Sequence, residues 1–369
     1  RSVIPPALDS RRAHGLTVTS PLAGKVGCVL ILAGLGVHLF AIPFQLASAE
    51  IFDGAKPWGI SLTALLPRGA ALLLLVRLLV QDPLRLQGTV QTLFTAVGFL
   101  TVLIGSLLAP WQTHIRRLVA YLVLFQSGLI LVALSAACTE RIRPTATPWL
   151  DFGTPGGIGA ACLCFALDSV ALVGFLALLA SRERTDRPIV EVGSLADALR
   201  DHGGRGVALC ILAASLAGMP PFAGFWARIA ILQSTLSISV PAANGFLPHQ
   251  NVDYVVVALA IAGGLILLAP VVLTLVKKTL LDDLDAPRIE VVQPHQKVPR
   301  SRSETTAIVI GMLAALAVIA GGIFPKPVFH AAALGTSEEP AFSQSSADLA
   351  NPLGGDEARR GRRAPERDD

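Results

Sequence analysis

The chain has 369 residues, of which 53% are hydrophobic and 15% charged, with a mean hydropathy of +0.62. Soluble domains carry about 25% charged residues, so this composition excludes a soluble globular protein, and no soluble catalytic domain fits anywhere along the chain. The net charge of +4 is divided unequally between the two sides of a membrane, and the expected surroundings are lipid, with no nucleic acid.

Residues 1–23 form a polar, proline-containing segment that lacks the character of a signal peptide, and the chain starts with Arg1 rather than Met. An upstream part is therefore expected to be cut off or left out. Apolar runs near the roughly 20 residues needed to cross a bilayer come next, at 24–46, 58–80, 89–110, 117–138, 157–180, 207–236, 253–276 and 305–325. They predict an all-α, polytopic membrane domain of about eight helices over residues 24–330. Region 181–206 is a long charged loop with a short surface helix, and 277–304 is a second long charged loop. Residues 335–369 have too little apolar content to bury and are expected to form a disordered tail.

Outside the two tails, one side of the membrane collects fourteen Lys and Arg, including Lys56, Arg116, Arg117, Arg182 and Lys277, and the other six. The positive-inside rule puts the richer side in the cytoplasm and both chain ends outside it. The five cysteines (28, 138, 162, 164 and 210) lie within or at the ends of apolar runs, where a free thiol behaves as a small hydrophobe. Cys162 and Cys164 point to different helix faces, which favours neither a metal site nor a disulfide.

Ionisable groups at membrane depth are costly and are functional candidates by default. Four fall at such depth: His38, Arg68, Asp168 and Arg228. His38, in VHLFAIPF, titrates near neutral pH and can pass a proton between its ring nitrogens; the alternative is an imidazole satisfied by a backbone carbonyl. Arg68 follows Pro67 and lies too deep to snorkel easily. It stays charged, so it sets a local potential or orients water, or else partners a carbonyl cluster. Asp168, in CFALDSVALVGF, is the one carboxylate deep in a span. Burial and a nearby arginine would act on it in opposite senses.

The most informative stretch is LAGMPPFAGFWAR, Leu216 to Arg228. Pro220, Pro221, Gly218 and Gly224 interrupt an apolar run there, and Pro43 interrupts the first span. A proline inside a helix removes a hydrogen bond and clashes with the preceding turn. In lipid such backbone is tolerated only where it is buried in protein or lines a wet cavity. Arg228 comes four residues after Gly224, just past the break, where half-helix ends offer unpaired amides and carbonyls.

Three stretches together resemble the subunit N family of bacterial NADH-quinone oxidoreductase, antiporter-like membrane subunits of respiratory complex I related to mitochondrial chain 2. HLFAIPF, EIFDGA (Glu50–Ala55) and LLPR are similar to the family's run of lysine, Pro-Phe, an acidic-aromatic-acidic-Gly-Ala turn and a second lysine. Gln112–Leu134 is similar to its segment of Gln-Thr, two basic residues and a tyrosine, and Leu216–Arg228 to its broken-helix motif. The likeness covers roughly residues 24–330 and implies two inverted five-helix bundles, the second contained here together with the first bundle's broken helix around Pro43.

The resemblance also implies where this chain departs. The family's proton-handling lysines fall on His38, Arg68 and Arg228, so no lysine remains at those positions. The glutamate that pairs with the first of them lies upstream of Arg1, which leaves His38 without an identified partner. The implied function is a proton path coupled to electron transfer elsewhere, with His38 exchanging protons and Arg68, Arg228 and Asp168 forming or tuning the path. NADH, FMN, iron–sulfur clusters and quinone are then expected in other subunits, and this chain lacks the metal and nucleotide motifs to oxidise NADH itself. Other membrane subunits of a respiratory complex in a bacterial inner membrane are the expected partners. A non-pumping spacer, and a subunit of a cation/proton antiporter or membrane-bound hydrogenase, are the alternatives.

Overall fold

The computed structural model describes residues 21–81, 87–140, 156–181, 203–239, 261–266, 268 and 302–330. Among them the secondary structure is helical, with no β-sheet. In chain order the helices are α1 (Pro21–His38), α2 (Gln45–Gly54), α3 (Pro57–Gln81), α4 (Gln87–Leu108), α5 (Ile115–Glu140), α6 (Gly157–Ala180), α7 (Gly203–Ala217), α8 (Ala223–Ser239) and α9 (Arg302–Ile323). Five are long and apolar enough to cross a membrane by themselves: α3, α4 with the turn after it, α5, α6 and α9.

The run predicted at 157–180 forms α6 residue for residue, no proline interrupting it. The two runs read as interrupted are discontinuous: the run at 24–46 is α1 and the start of α2, divided around Pro43, and the run at 207–236 is α7 followed by α8, divided around Pro220 and Pro221. Most of the span predicted at 253–276, the loops 182–202 and 277–301, and the predicted tail 335–369 lie outside the described residues.

Both breaks are built the same way. At the end of α1, Phe40 takes a left-handed φ of 56°, its N–H donates to the Val37 carbonyl (3.1 Å), and the Ala41 N–H donates to Gly36 (2.9 Å). At the end of α7, Gly218 takes φ +80°, its N–H donates to Ser215 (2.9 Å), and the Met219 N–H donates to Ala214 (2.9 Å). Each is a Schellman cap, which satisfies the last carbonyls of a helix with two backward bonds. Three positions after each left-handed residue comes a cis proline, Pro43 and Pro221, followed by a phenylalanine, Phe44 and Phe222. Glycine adopts the left-handed region freely; at Phe40 the ring is buried edge-on against Phe52, with centroids 5.5 Å apart.

The core sits around α5 and α6. The apolar window of α5 is 94% buried, against 33% for α3 and 28% for α9, so α5 is the central helix of the bundle. Helix α6 packs against α3, α5, α7, α8 and α9; at mid-height Cys164 and Asp168 are buried in the bundle while Ala166 and Val170 are exposed. Leu62, Leu66 and Leu73 of α3 and Leu313 and Leu316 of α9 are exposed, the outward apolar surface a lipid-facing helix presents. Outside the apolar layer, Arg117 donates from Nε (2.9 Å) and Nη2 (2.7 Å) to Asp53 Oδ2, and Arg116 Nη1 donates to the Asp53 carbonyl (3.0 Å). These bonds tie the end of α2 to the start of α5.

Candidate functional site

The second break positions the site. Gly224 lies in the first turn of α8 with its N–H donating to Ser215 Oγ of α7 (3.1 Å), and a Cβ there would fall on the Ser215 carbonyl. The two half-helices can meet this closely only with glycine at that position. One turn further on, Arg228 is fully buried. Its Nη2 donates to the Leu216 carbonyl (2.8 Å) and its Nη1 to the Gly224 carbonyl (2.9 Å), so the guanidinium supplies donors to carbonyls on both sides of the break. This is the use of half-helix ends that the sequence pattern anticipates.

The same Nη1 donates to Asp168 Oδ1 of α6 at 2.5 Å, forming an ion pair with both side chains at 0–1% exposure. The other carboxylate oxygen accepts from Cys164 Sγ at 3.2 Å. From α3, Arg68 enters the same region, 2% exposed, with its Cζ 5.8 Å from the centre of the Phe165 ring. A cation over an aromatic face is attracted to it, but among the described residues Arg68 Nε and Nη2 find no hydrogen-bond acceptor, and neither does Arg228 Nε. Two buried guanidiniums thus lie near one carboxylate, to which only Arg228 of the two is bonded among the described residues.

Of the four ionisable residues singled out from the sequence, the structure brings three together: Arg68, Asp168 and Arg228. It leaves His38 apart. His38 is the last residue of α1 and is exposed, not in the middle of a continuous span, and the charged groups acting on Arg68 are Asp168 and Arg228. The apolar cavity of about 250 Å³ beneath the first break, lined by Leu32, Gly36, Ile42, Phe44 and Phe94 among others, is not lined by His38. Among the interior polar groups that reading the sequence misses are Cys164 and Gln126. Cys164 passes for a small hydrophobe, although it precedes Asp168 by four residues, the spacing of facing helix neighbours. Gln126 of α5 is fully buried, with neither end of its amide hydrogen-bonded among the described residues; its signal is one amide in the apolar run LVLFQSGLIL.

Paired discontinuous helices with a buried arginine–carboxylate bond at one break define an integral membrane protein of the discontinuous-helix class. The chain belongs to the NADH:quinone oxidoreductase/Mrp antiporter transmembrane family, whose profile matches residues 20–247. Among relatives, it is 28% identical over 210 residues to NADH-quinone oxidoreductase subunit N of Paramagnetospirillum magneticum, covering 57% of this chain and 40% of that protein. It is 30% identical over 221 residues to subunit N of Herminiimonas arsenicoxydans, covering 57% and 41%. The chain thus spans about two fifths of the length of these curated relatives. Its fold is similar to a chain of respiratory complex I from Thermus thermophilus with bound aureothin (TM-score 0.59, 19% identity, 86% of this chain and 60% of that one). It is also similar to a chain of the Mrp complex from Dietzia (TM-score 0.60, 17% identity, 88% and 61%).

Proposed function

We propose that this chain is a membrane subunit of a proton-translocating NADH:quinone oxidoreductase of the complex I type, contributing a proton path coupled to electron transfer in other subunits. The observation that carries the reading is the buried Arg228–Asp168 pair at the second helix break, with Arg68 beside it. Charge at membrane depth is retained at a cost, and here it lines the interior of the bundle rather than a lipid-facing surface. The relatives named as subunit N support the choice among the family's complexes. His38 exchanges protons at the first break, while Arg68 and Arg228, permanently charged, tune the path by their fields. The division into a polar segment 1–23, a transmembrane domain 24–330 and a tail 335–369 belongs to the same reading. So do a bacterial inner-membrane location, a C-terminus outside the cytoplasm, and the assignment of NADH, FMN, iron–sulfur clusters and quinone to other subunits.

A second reading has its own support. With no lysine at His38, Arg68 or Arg228, and with Arg228 engaged by one carboxylate and two carbonyls, the chain serves equally as a non-pumping spacer that keeps the fold. Proton translocation by the assembled complex in sealed vesicles separates the two readings. Native chain, His38→Ala, His38→Lys and Arg228→Ala are compared at matched electron-transfer rates. Loss of stoichiometry in the alanine variants supports the pumping reading; unchanged stoichiometry supports the spacer.

A further inference from the structure

Arg68 is the charge that the contacts at the second break leave over. Its side chain is 2% exposed, and the carboxylate near it is already engaged: Asp168 Oδ1 accepts from Arg228 Nη1 and Oδ2 from Cys164 Sγ. Asp168 attracts Arg68 and Arg228 repels it, so among the described residues two positive charges face one negative charge. A guanidinium does not shed its proton at accessible pH, and burying an ion without a partner is costly. One negative charge placed on Arg68 balances the cluster.

The unbonded donors of Arg68 have a definite arrangement. The Phe165 ring takes one face of the guanidinium, with Cζ 5.8 Å from the ring centre, which leaves the edges of the plane for hydrogen bonds. Nε and Nη2, the two nitrogens that find no acceptor among the described residues, stand side by side on one edge, where their N–H bonds run parallel as a fork. Arg117 shows what that edge holds. Its Nε (2.9 Å) and Nη2 (2.7 Å) both donate to a single negatively charged atom, Asp53 Oδ2.

We propose that the Nε–Nη2 edge of Arg68 is a binding site for a small monovalent anion, a halide such as chloride. The surplus to be balanced is a single charge, and the fork grips a single atom, which selects a small monovalent ion over a phosphate or sulfate. A water molecule on the same edge leaves the charge unbalanced and has two O–H groups of its own to place, whereas a halide accepts both N–H bonds and donates nothing. A carboxylate from a neighbouring subunit would have to reach a side chain that is 2% exposed within this chain; a free ion enters the bundle as it assembles. The site goes beyond the pumping and spacer readings and holds under either, since the anion brings the buried charge of Arg68, Asp168 and Arg228 to zero.

The test uses the assembled complex, extracted, purified and crystallised with bromide in place of chloride, for native chain and Arg68→Met. Anomalous difference maps at the bromine absorption edge locate the ion. The expected result is a bromide peak at hydrogen-bond distance from Arg68 Nε and Nη2 in the native complex and none there in Arg68→Met. Melting temperatures give a second reading. In gluconate medium, free of halide, Arg68 has no bonded counter-ion and Arg68→Met melts no lower than native; replacing gluconate by chloride raises the melting temperature of the native complex, as a ligand of the folded state does, and leaves that of Arg68→Met where it was. A native map without a bromide peak on that edge, whether water or a carboxylate oxygen stands there instead, overturns the proposal, and so does a peak that persists in Arg68→Met. Should Arg68→Met fail to assemble, the native map decides alone. Failure of the site leaves the pumping and spacer readings as they stand, because neither depends on a bound halide.

Discussion

Arg228 on α8 bonds Asp168 on α6 across 60 positions of sequence, at 2.5 Å and out of contact with solvent. Truncating one member of a buried pair leaves an uncompensated charge, which costs about 3–5 kcal/mol, whereas replacing both by apolar groups is often neutral. Arg228→Ala and Asp168→Leu are each expected to lower the thermal stability of the purified complex strongly. The double variant Arg228→Met/Asp168→Leu should recover most of the loss. Additive losses in that cycle would show that the two residues are not energetically coupled.

Gly224 is the second point of the break that tolerates no change. A methyl group there meets the Ser215 carbonyl, backbone that cannot swing aside, so Gly224→Ala is expected to destabilise by about 1–3 kcal/mol, the range for overpacking. Gly27 on α1, where an added Cβ meets nothing within 4 Å, is the control. Gly27→Ala should stay within about 0.5 kcal/mol of native, as surface changes do. Comparing the unfolding midpoints of the two variants checks the expectation.

How far the sequence exposes this arrangement depends on the range of the interactions. The span at 157–180 and the break around Pro220 are legible because apolar run length and proline act locally. The early end of α1 is not: VHLFA carries no proline or glycine to mark it, and the chain turns there at Phe40, which adopts a left-handed conformation with its ring packed on Phe52, twelve residues on. Each of Arg68, Asp168 and Arg228 stands out alone as a charge in an apolar run, but their convergence is set by the packing of α3, α6 and α8. Cys164 does not stand out, because a thiol in an apolar helix reads as filler until the carboxylate one turn away is seen to turn toward it.

Arg68 differs from Arg228 in being buried without a hydrogen-bonded carboxylate among the described residues, its contact being the Phe165 ring. Removing a buried charge that lacks a bonded counter-ion relieves desolvation instead of creating it. Arg68→Met is therefore expected to leave the melting temperature of the complex unchanged or raised while diminishing proton translocation. A marked drop in melting temperature would mean that Arg68 is held by an acceptor that stabilises the fold.

The Arg117–Asp53 pair lies half-exposed, at 48% and 35% side-chain exposure, and is expected to matter little. Exposed pairs contribute about 0.2–1 kcal/mol and weaken with salt. Asp53→Asn should lower stability by no more than that, and the difference from native should shrink as ionic strength rises. A loss that salt does not change would point to the Arg116 bond to the Asp53 carbonyl as the stronger tie.

That same contact bears on orientation. It puts the end of α2 and the start of α5 on one side of the membrane, the side to which the charge count assigns Lys56, Arg116 and Arg117. Arg205 Nη1 lies 3.9 Å from Glu304 Oε1, which puts the starts of α7 and α9 together on one side, again the side assigned to Arg205 and Arg302. With basic residues concentrated there, the positive-inside rule predicts that this side is cytoplasmic and the far end of α9 external, as the proposed topology requires. A protease site inserted in 181–202 should be cut only in inside-out vesicles, and one placed after residue 335 only in right-side-out ones. The reverse pattern would invert the topology.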